Sequence, residues 1–322
     1  MKLIIDTDGG FDDARAIILM LRSRQPRCAL LAITTVFGNV AVQQATANAR
    51  RLCALCDVRN IAIYQGCAAP LINDSRPGHT PGVVHGMDGL GDVPAQSPAY
   101  ADLTDLGPTH PKTAAAAAIN ELTMAHPNEV VLLCLGPLTN VAVALALDNK
   151  LAERVKCIYV MGGNTYGIGN VTPSAEANFY CDPEAAQSVL TRFKCPITLA
   201  PWDLCVNFGP SPIDPNIDYE PYRAEQPTKI GAFLLATGEK KRSYHRKVNN
   251  KPLVFIDEIA AAACLNSNDV ILEHICRPVT VVLAGITRGQ MVVNWKETSD
   301  QIRIITKYDG KVVSAMLRQV CA

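Results

Sequence analysis

Residues 2–17 read KLIIDTDGGFDDARAI, an apolar run followed at once by Asp6, Asp8, Asp12 and Asp13 around the pair Gly9–Gly10. The first half has the composition of a buried parallel strand and the second half the spacing of a helix. The glycines permit a tight turn between them, and Asp12 and Asp13 fall in the first helical turn, where the macrodipole favours negative charge. Strand, turn and helix open a βαβ unit, and open sheets of such units place ligands beyond the carboxyl ends of their strands. Capping of the helix accounts for one or two of the four carboxylates. The others oppose folding unless a cation, hydrogen bonds or water relieves their repulsion.

The alternation continues outward from this opening. KLIID, ALLAITTV, NIAIY, EVVLLCLG, RVKCIYVMG and CPITLA are strand-like runs, separated by the helical patterns DDARAIILMLRS, VQQATANARRLCAL, KTAAAAAINELTMA, GPLTNVAVALAL and PEAAQSVLTRF. The expected fold is α/β, a single domain over residues 1–322 around a largely parallel, Rossmann-like sheet. Beyond residue 278, VTVVLAG, QMVVNW and QIRIIT read as additional strands and KVVSAMLRQV as a closing helix. Three stretches interrupt the pattern: the Gly- and Pro-rich residues 66–111, the Pro-rich residues 201–228, and the basic segment 238–252, GEKKRSYHRKVNNKP. Long loops of this kind serve as functional lids, and for the basic one a plain solvated face is an equal alternative.

Thirty Lys and Arg balance thirty Asp and Glu among 322 residues. A balanced chain has no global field to hold nucleic acid or an anionic membrane, so neither is an expected partner. No apolar run approaches the length of a membrane span and no signal peptide is evident, so the expected location is cytoplasmic. The 12 cysteines are scattered through apolar segments and read as reduced, buried thiols. Cys53 and Cys56 form a CxxC without a second pair or a His cluster, a poor zinc or redox signal.

Three sites compete for the acidic turn. An EF-hand counted from Asp6 needs a glycine and a glutamate where Phe11 and Ile17 stand, and fails. A haloacid-dehalogenase-like phosphatase, D-x-D-G-[TV], would make Asp6 the nucleophile, but Gly10 occupies the Thr or Val position and the following DDA has no role. The third fits best. DTDGGFDDA resembles the D-x-D-P-G-x-D-D-A signature of the inosine-uridine nucleoside hydrolase family, with Gly9 in place of the usual proline. Further segments resemble that family in order: ITTVFGNV, HGMDGLGD, LGPLTNVA, YVMGGN with the Gly169–Asn170 pair, SAEANFYCDPEAA and FIDEIAAAAC.

The resemblance implies hydrolysis of the N-glycosidic bond of a ribonucleoside to ribose and free base. It implies a Ca²⁺ cofactor held by Asp8, Asp13, Asp257 and the Leu135 carbonyl, with Asp6 behind them and Asp8 also taking the proton of the attacking water. It carries Asp12 and Asn39 to the 2′-hydroxyl region of the ribose, and Met161, Asn170, Glu176 and Asn178 to the 3′- and 5′-hydroxyls. A homo-oligomer, dimer or tetramer, is also implied. Many members place a histidine, and another branch a tryptophan, where this chain has Ile256. The leaving-group contact is therefore expected from His85, Tyr244, His245 or Arg246, with Trp202 and Phe255 as stacking candidates and a purine, inosine or guanosine, as the favoured substrate. A nucleoside- or ribose-binding protein without turnover is the non-enzymatic alternative.

Overall fold

A computed structural model describes residues 1–23, 28–72, 84–93, 114–206, 213–249 and 253–322. Its frame is an eight-stranded sheet of order β3-β2-β1-β4-β5-β6-β10-β7. The strands are β1 (Lys2–Thr7), β2 (Ala29–Thr35), β3 (Ala62–Gln65), β4 (Val130–Cys134), β5 (Cys157–Met161), β6 (Ile197–Ala200), β7 (Ile271–Cys276) and β10 (Ile302–Tyr308). Pairing is parallel from β3 to β10, and only β7 runs antiparallel, against β10. The short strands β8 (Val279–Val281) and β9 (Met291–Val293) form a separate ribbon. The α/β reading stands, as do the six N-terminal strands and the three later ones. ILEHIC, which becomes β7, escaped it because its four central residues are half-exposed or exposed and show no clean alternation.

The central strands are apolar throughout because helices cover both faces. Leu3 and Ile5 of β1 point into one core with Phe11, Ile17, Phe233 and Ile259, while Ile4 points into the other with Ile119, Val141 and Val189. The first layer contains helices Phe11–Arg22, Asp257–Leu265 and Gly310–Cys321, and the second contains Ala115–Ala125, Thr139–Leu147 and Pro183–Arg192. Fully buried Ala260–Ala263 give helix Asp257–Leu265 a smooth side on which neighbours approach closely.

Strand order reverses between β1 and β4, so the loops leaving these two strands diverge and open a crevice at their carboxyl ends. The acidic turn sits there. Gly9 has φ +78°, and a Cβ on it would lie 2.7 Å from the Ala45 Cα. Proline, fixed near φ −65°, cannot adopt this turn, so the glycine that stands in place of the signature's proline suits the backbone found here.

Behind the turn, Arg15 and Glu258 form a fully buried ion pair at 2.6 Å. The Arg15 guanidinium also donates to the Tyr219 carbonyl at 2.7 Å and lies over the rings of Phe11, Tyr222 and Phe255. Phe255 is thereby a wall of the core and not a stacking surface for a base, correcting the expectation from sequence. Helices Phe11–Arg22 and Asp257–Leu265 are locked together through this pair, immediately beside Asp12, Asp13 and Asp257.

The basic segment is not a loop. It forms helix Glu239–Tyr244, continued by a π-helical turn at His245–Asn249, and Lys241 and Arg242 are buried within it. Residues 73–83, 94–113, 207–212 and 250–252 lie outside the described residues, so much of the Gly- and Pro-rich stretch 66–111 and parts of the other two interruptions are not assigned. The cysteines among the described residues form no disulfides, and burial pushes the Cys53 and Cys56 thiols up to about 12, consistent with inert core positions.

Two stability measurements check this frame. Gly9→Ala should cost roughly 1–2 kcal/mol for the left-handed backbone alone, and more because of Ala45, in denaturant unfolding. An unchanged midpoint would contradict the turn. Arg15→Ala leaves Glu258 buried and uncompensated, and should cost about 3–5 kcal/mol. A loss below about 1 kcal/mol, the range of an exposed pair, would contradict the buried clamp.

Candidate active site

Asp8 follows β1 and is packed between two glycines. A Cβ on Gly38 would meet the Asp8 Oδ2 at 2.1 Å, and one on Gly136 would meet the Asp8 Cβ at 2.8 Å. Only glycine permits the loops after β2 and β4 to approach this closely. Asp8 Oδ2 accepts the Asn39 backbone N–H at 2.7 Å and Oδ1 accepts the Asn39 amide at 2.9 Å. Asp13 accepts from the Thr7 hydroxyl, from Asp8 N at 3.2 Å, from Gly10 N at 2.9 Å and from the Asn39 amide at 3.4 Å. It closes the start of its own helix, so the capping role and a place in the site coexist in one residue.

Asp12, Asp13 and Asp257 converge, each offering an oxygen within 4.8 Å of the others. Asp257 belongs to the first turn of its helix, whose N-cap is Ile256, so it is not the cap. Burial, followed by the charges of its neighbours, pushes Asp257, Asp8 and Asp13 above the ordinary carboxylate range. Asp12 goes the other way. Burial opposes its ionisation, but the Lys241 cation at 2.8 Å and then His85 hold it below the usual range.

A divalent cation fits this donor set. The carboxylates are buried, all-oxygen and mutually repulsive; the Lys241 ammonium contacts Asp12, and the His85 ring lies 3.5 Å from the same residue. That is a hard-ion environment, in which added positive charge brings the raised carboxylates back to their ionised form. Leu135, the first residue after β4, is buried at the same edge and its carbonyl accepts the Asn178 amide at 2.9 Å. Asp6 faces elsewhere: its Oδ1 accepts from Thr34 at 2.6 Å and from Asn140 at 2.7 Å, and burial raises its carboxyl to about 7. So oriented, Asp6 is no nucleophile for a phosphatase.

A cavity of about 390 Å³ opens above the carboxylates, within the usual range for small-molecule sites. It is lined by Asp12, Asn39, Leu135, Met161, Asn170, Glu176, Asn178 and Asp257, so residues spread across the chain meet on one surface. Glu176 is held by three backbone N–H groups, of Asn178, Gly163 and Phe179 at 2.8–3.1 Å, while burial raises its carboxyl to about 7. Asn178 donates to the carbonyls of Leu135 at 2.9 Å and Met161 at 3.1 Å, tying the ends of β4 and β5 together. Asn170 accepts from Ala177 N at 2.9 Å.

His85, Trp202, Tyr244, His245 and Ile256 line the same cavity. Arg246 lines a different one, with Arg242, Glu220 and Leu253. The helical repeat explains the split: Lys241, Tyr244 and His245 stand at i, i+3 and i+4 on one face, and Arg242 and Arg246 at i and i+4 on the next. Reading the sequence missed the apolar lining residues Val84, Ile168 and Val206 and, more consequentially for the chemistry, the charged Lys241. Its signal was that same spacing, which appears only once the segment is taken as helical.

The sequence profile described as inosine-uridine preferring nucleoside hydrolase matches residues 3–315. The Leishmania major protein of that name is 32% identical over 297 residues, 92% of this chain and 88% of its own. Uridine nucleosidase 1 of Arabidopsis thaliana is 42% identical over 193 residues, 59% of this chain and 53% of its own, so that match spans about half the plant protein. A solved inosine-guanosine nucleoside hydrolase superposes with a TM-score of 0.81 at 32% identity, covering 99% of this chain and 98% of that one. With the acidic turn, the crevice and the profile in agreement along nearly its whole length, the chain belongs to the inosine-uridine preferring nucleoside hydrolase family.

Proposed function

We propose that this protein hydrolyses the N-glycosidic bond of ribonucleosides, with Ca²⁺ as cofactor and purine nucleosides as preferred substrates. The observation that carries the reading is the convergence, in one cavity, of buried carboxylates with the amides and carboxylates of Asn39, Asn170, Glu176 and Asn178. Those groups suit the hydroxyls of a sugar, and acidic residues around its anomeric carbon suit a transition state with oxocarbenium character.

In the reaction, a water oxygen bonds to C1′ as the C1′–N bond breaks, one water proton passes to a carboxylate, and the base leaves with a proton of its own. Asp8, Asp13, Asp257 and the Leu135 carbonyl are the residues assigned to hold the cation. When bound, a divalent cation supplies Lewis acidity and an anchor for oxygen ligands. Asp8 is assigned the proton. Its burial beside Asp13 raises its proton affinity, and Asn39 fixes its orientation through two hydrogen bonds. Asp12 and Asn39 take the 2′-hydroxyl region, and Met161, Asn170, Glu176 and Asn178 the remaining hydroxyls. Preference for Ca²⁺ over smaller ions follows from a donor set of carboxylates and a carbonyl on separate elements, which suits a large, flexible coordination sphere.

Base preference rests on the opposite wall. Trp202 offers a broad face, while Tyr244 and His245 offer donors that a 6-oxopurine meets at N7 and O6. Ile256 supplies no proton, so assistance to the leaving base falls to this wall. A second reading, with uridine preferred, draws on the plant relatives, which are named uridine nucleosidases.

Ribose release from a panel of nucleosides tests the activity. Hydrolysis should be abolished by chelation and restored by Ca²⁺, and Asp8→Asn should lower kcat by about 10²–10⁴-fold while the protein stays folded. Wild-type rates in Asp8→Asn would refute the assigned base. For specificity, kcat/KM should be higher for inosine than for uridine, and lower in Tyr244→Phe and His245→Ala. Equal values for the two nucleosides, unchanged in both variants, would remove the purine preference and the role of this wall.

A further inference from the structure

On distance alone Asp12 is as good a cation ligand as Asp13 or Asp257, since all three present oxygens within 4.8 Å of one another. Their partners differ. Asp13 is held by neutral donors, the Thr7 hydroxyl, two backbone N–H groups and the Asn39 amide. Asp12 Oδ2 instead receives the Lys241 ammonium at 2.8 Å, and the Lys241 side chain is only 5% exposed. Its other oxygen, Oδ1, is buried without a hydrogen-bond partner among the described residues, 3.5 Å from the His85 ring, whose Nδ1 accepts the Phe11 N–H. Gly10 keeps the space beside it open, because a Cβ there would stand 3.0 Å from Oδ1. One oxygen of Asp12 is thus committed to a cation of the protein, and the other is an unsatisfied acceptor on a residue that lines the cavity.

We propose that Lys241 sorts the carboxylates of the site. By pairing with Asp12 Oδ2 it withdraws Asp12 from the cation-binding set and dedicates Oδ1 to a substrate hydroxyl, making Lys241 a positioning and specificity-determining residue. An ammonium in contact with one oxygen of a carboxylate repels a divalent ion from that oxygen, and in a buried site the repulsion is weakly screened. The pairing also orients the carboxylate, so that the remaining oxygen is presented in one direction. Helix Glu239–Tyr244 is held in place for this task by a second ion pair, Lys240 with Asp92 at 2.6 Å. The hydroxyl is identified as the ribose 2′-hydroxyl on the strength of the hydrolase reading above; the effect of Lys241 on cation binding does not depend on it.

Two measurements on Lys241→Met and Lys241→Arg test the proposal. Calcium titration of the chelator-stripped, substrate-free protein should show tighter binding in Lys241→Met, by about threefold or more, because a nearby positive charge is gone and Asp12 joins the ligands. Lys241→Arg should keep the wild-type affinity. In the second measurement, the ratio of kcat/KM for inosine over 2′-deoxyinosine should fall about tenfold or more in Lys241→Met and recover in Lys241→Arg, the scale of a hydrogen bond to a charged acceptor. A merely structural lysine predicts the opposite signature, weaker Ca²⁺ binding and proportionate losses on both substrates, and that result would overturn the proposal. Where Lys241→Met does not fold, Lys241→Gln, which keeps a donor and drops the charge, carries the same comparison. A wild-type protein inactive on every nucleoside of the panel, uridine included, refutes the hydrolase reading and the hydroxyl assignment, while the Ca²⁺ titration still decides the charge effect.

Discussion

Mutual repulsion among Asp8, Asp12, Asp13 and Asp257, buried together where the sheet reverses direction, is the constraint around which this molecule is organised. Placing such charges in the interior is costly unless each is compensated. The structure distributes that compensation among several elements. Backbone N–H groups and neutral side chains serve Asp8 and Asp13, Lys241 serves Asp12, and the Arg15–Glu258 pair braces the two acidic helices from behind without touching the cavity. What these groups leave uncompensated has the sign, hardness and geometry of a divalent-cation site.

The same arrangement gives the cavity two chemically distinct walls. On the floor are carboxylates, amides and backbone carbonyls from the ends of β1, β2, β4 and β5, elements anchored in the sheet and therefore rigid. Opposite is the helix carrying Lys241, Tyr244 and His245, joined to the floor by the Lys241–Asp12 pair. On the reading proposed above, the rigid floor would take the sugar and the helical wall would face the base. In this chain Ile256 adds an apolar surface to the cavity, and the side chains with exchangeable protons on the opposite wall are Lys241, Tyr244 and His245.

How much of this was legible in the sequence differed by residue. The strand–turn–helix of residues 2–17 is local, and periodicity alone revealed it. Asp257, Glu176 and Asn178 are remote in sequence from the acidic turn. Residue type by itself would have left Asp257 as a helix cap and Glu176 as a loop residue, so their place came through resemblance to a family pattern. Lys241 was hidden because GEKKRSYHRKVNNKP is polar and reads as a loop; burial of Lys241 and Arg242 depends on carboxylates elsewhere in the chain, Asp12 and Glu220. Phe255 and Trp202 were indistinguishable as aromatics, and only tertiary packing sent one into the core and the other to the cavity. Gly9 was visible as a departure from the signature, but the left-handed turn packed on Ala45 was not.

The most direct test of the central claim is equilibrium binding of Ca²⁺ to the chelator-stripped protein, comparing wild type with Asp13→Ala and Asp257→Ala. Wild type should bind one high-affinity ion per chain, and either variant should lose it although the two residues lie far apart in the sequence. Wild-type protein that binds no ion, or binding that survives both substitutions, would contradict the claim.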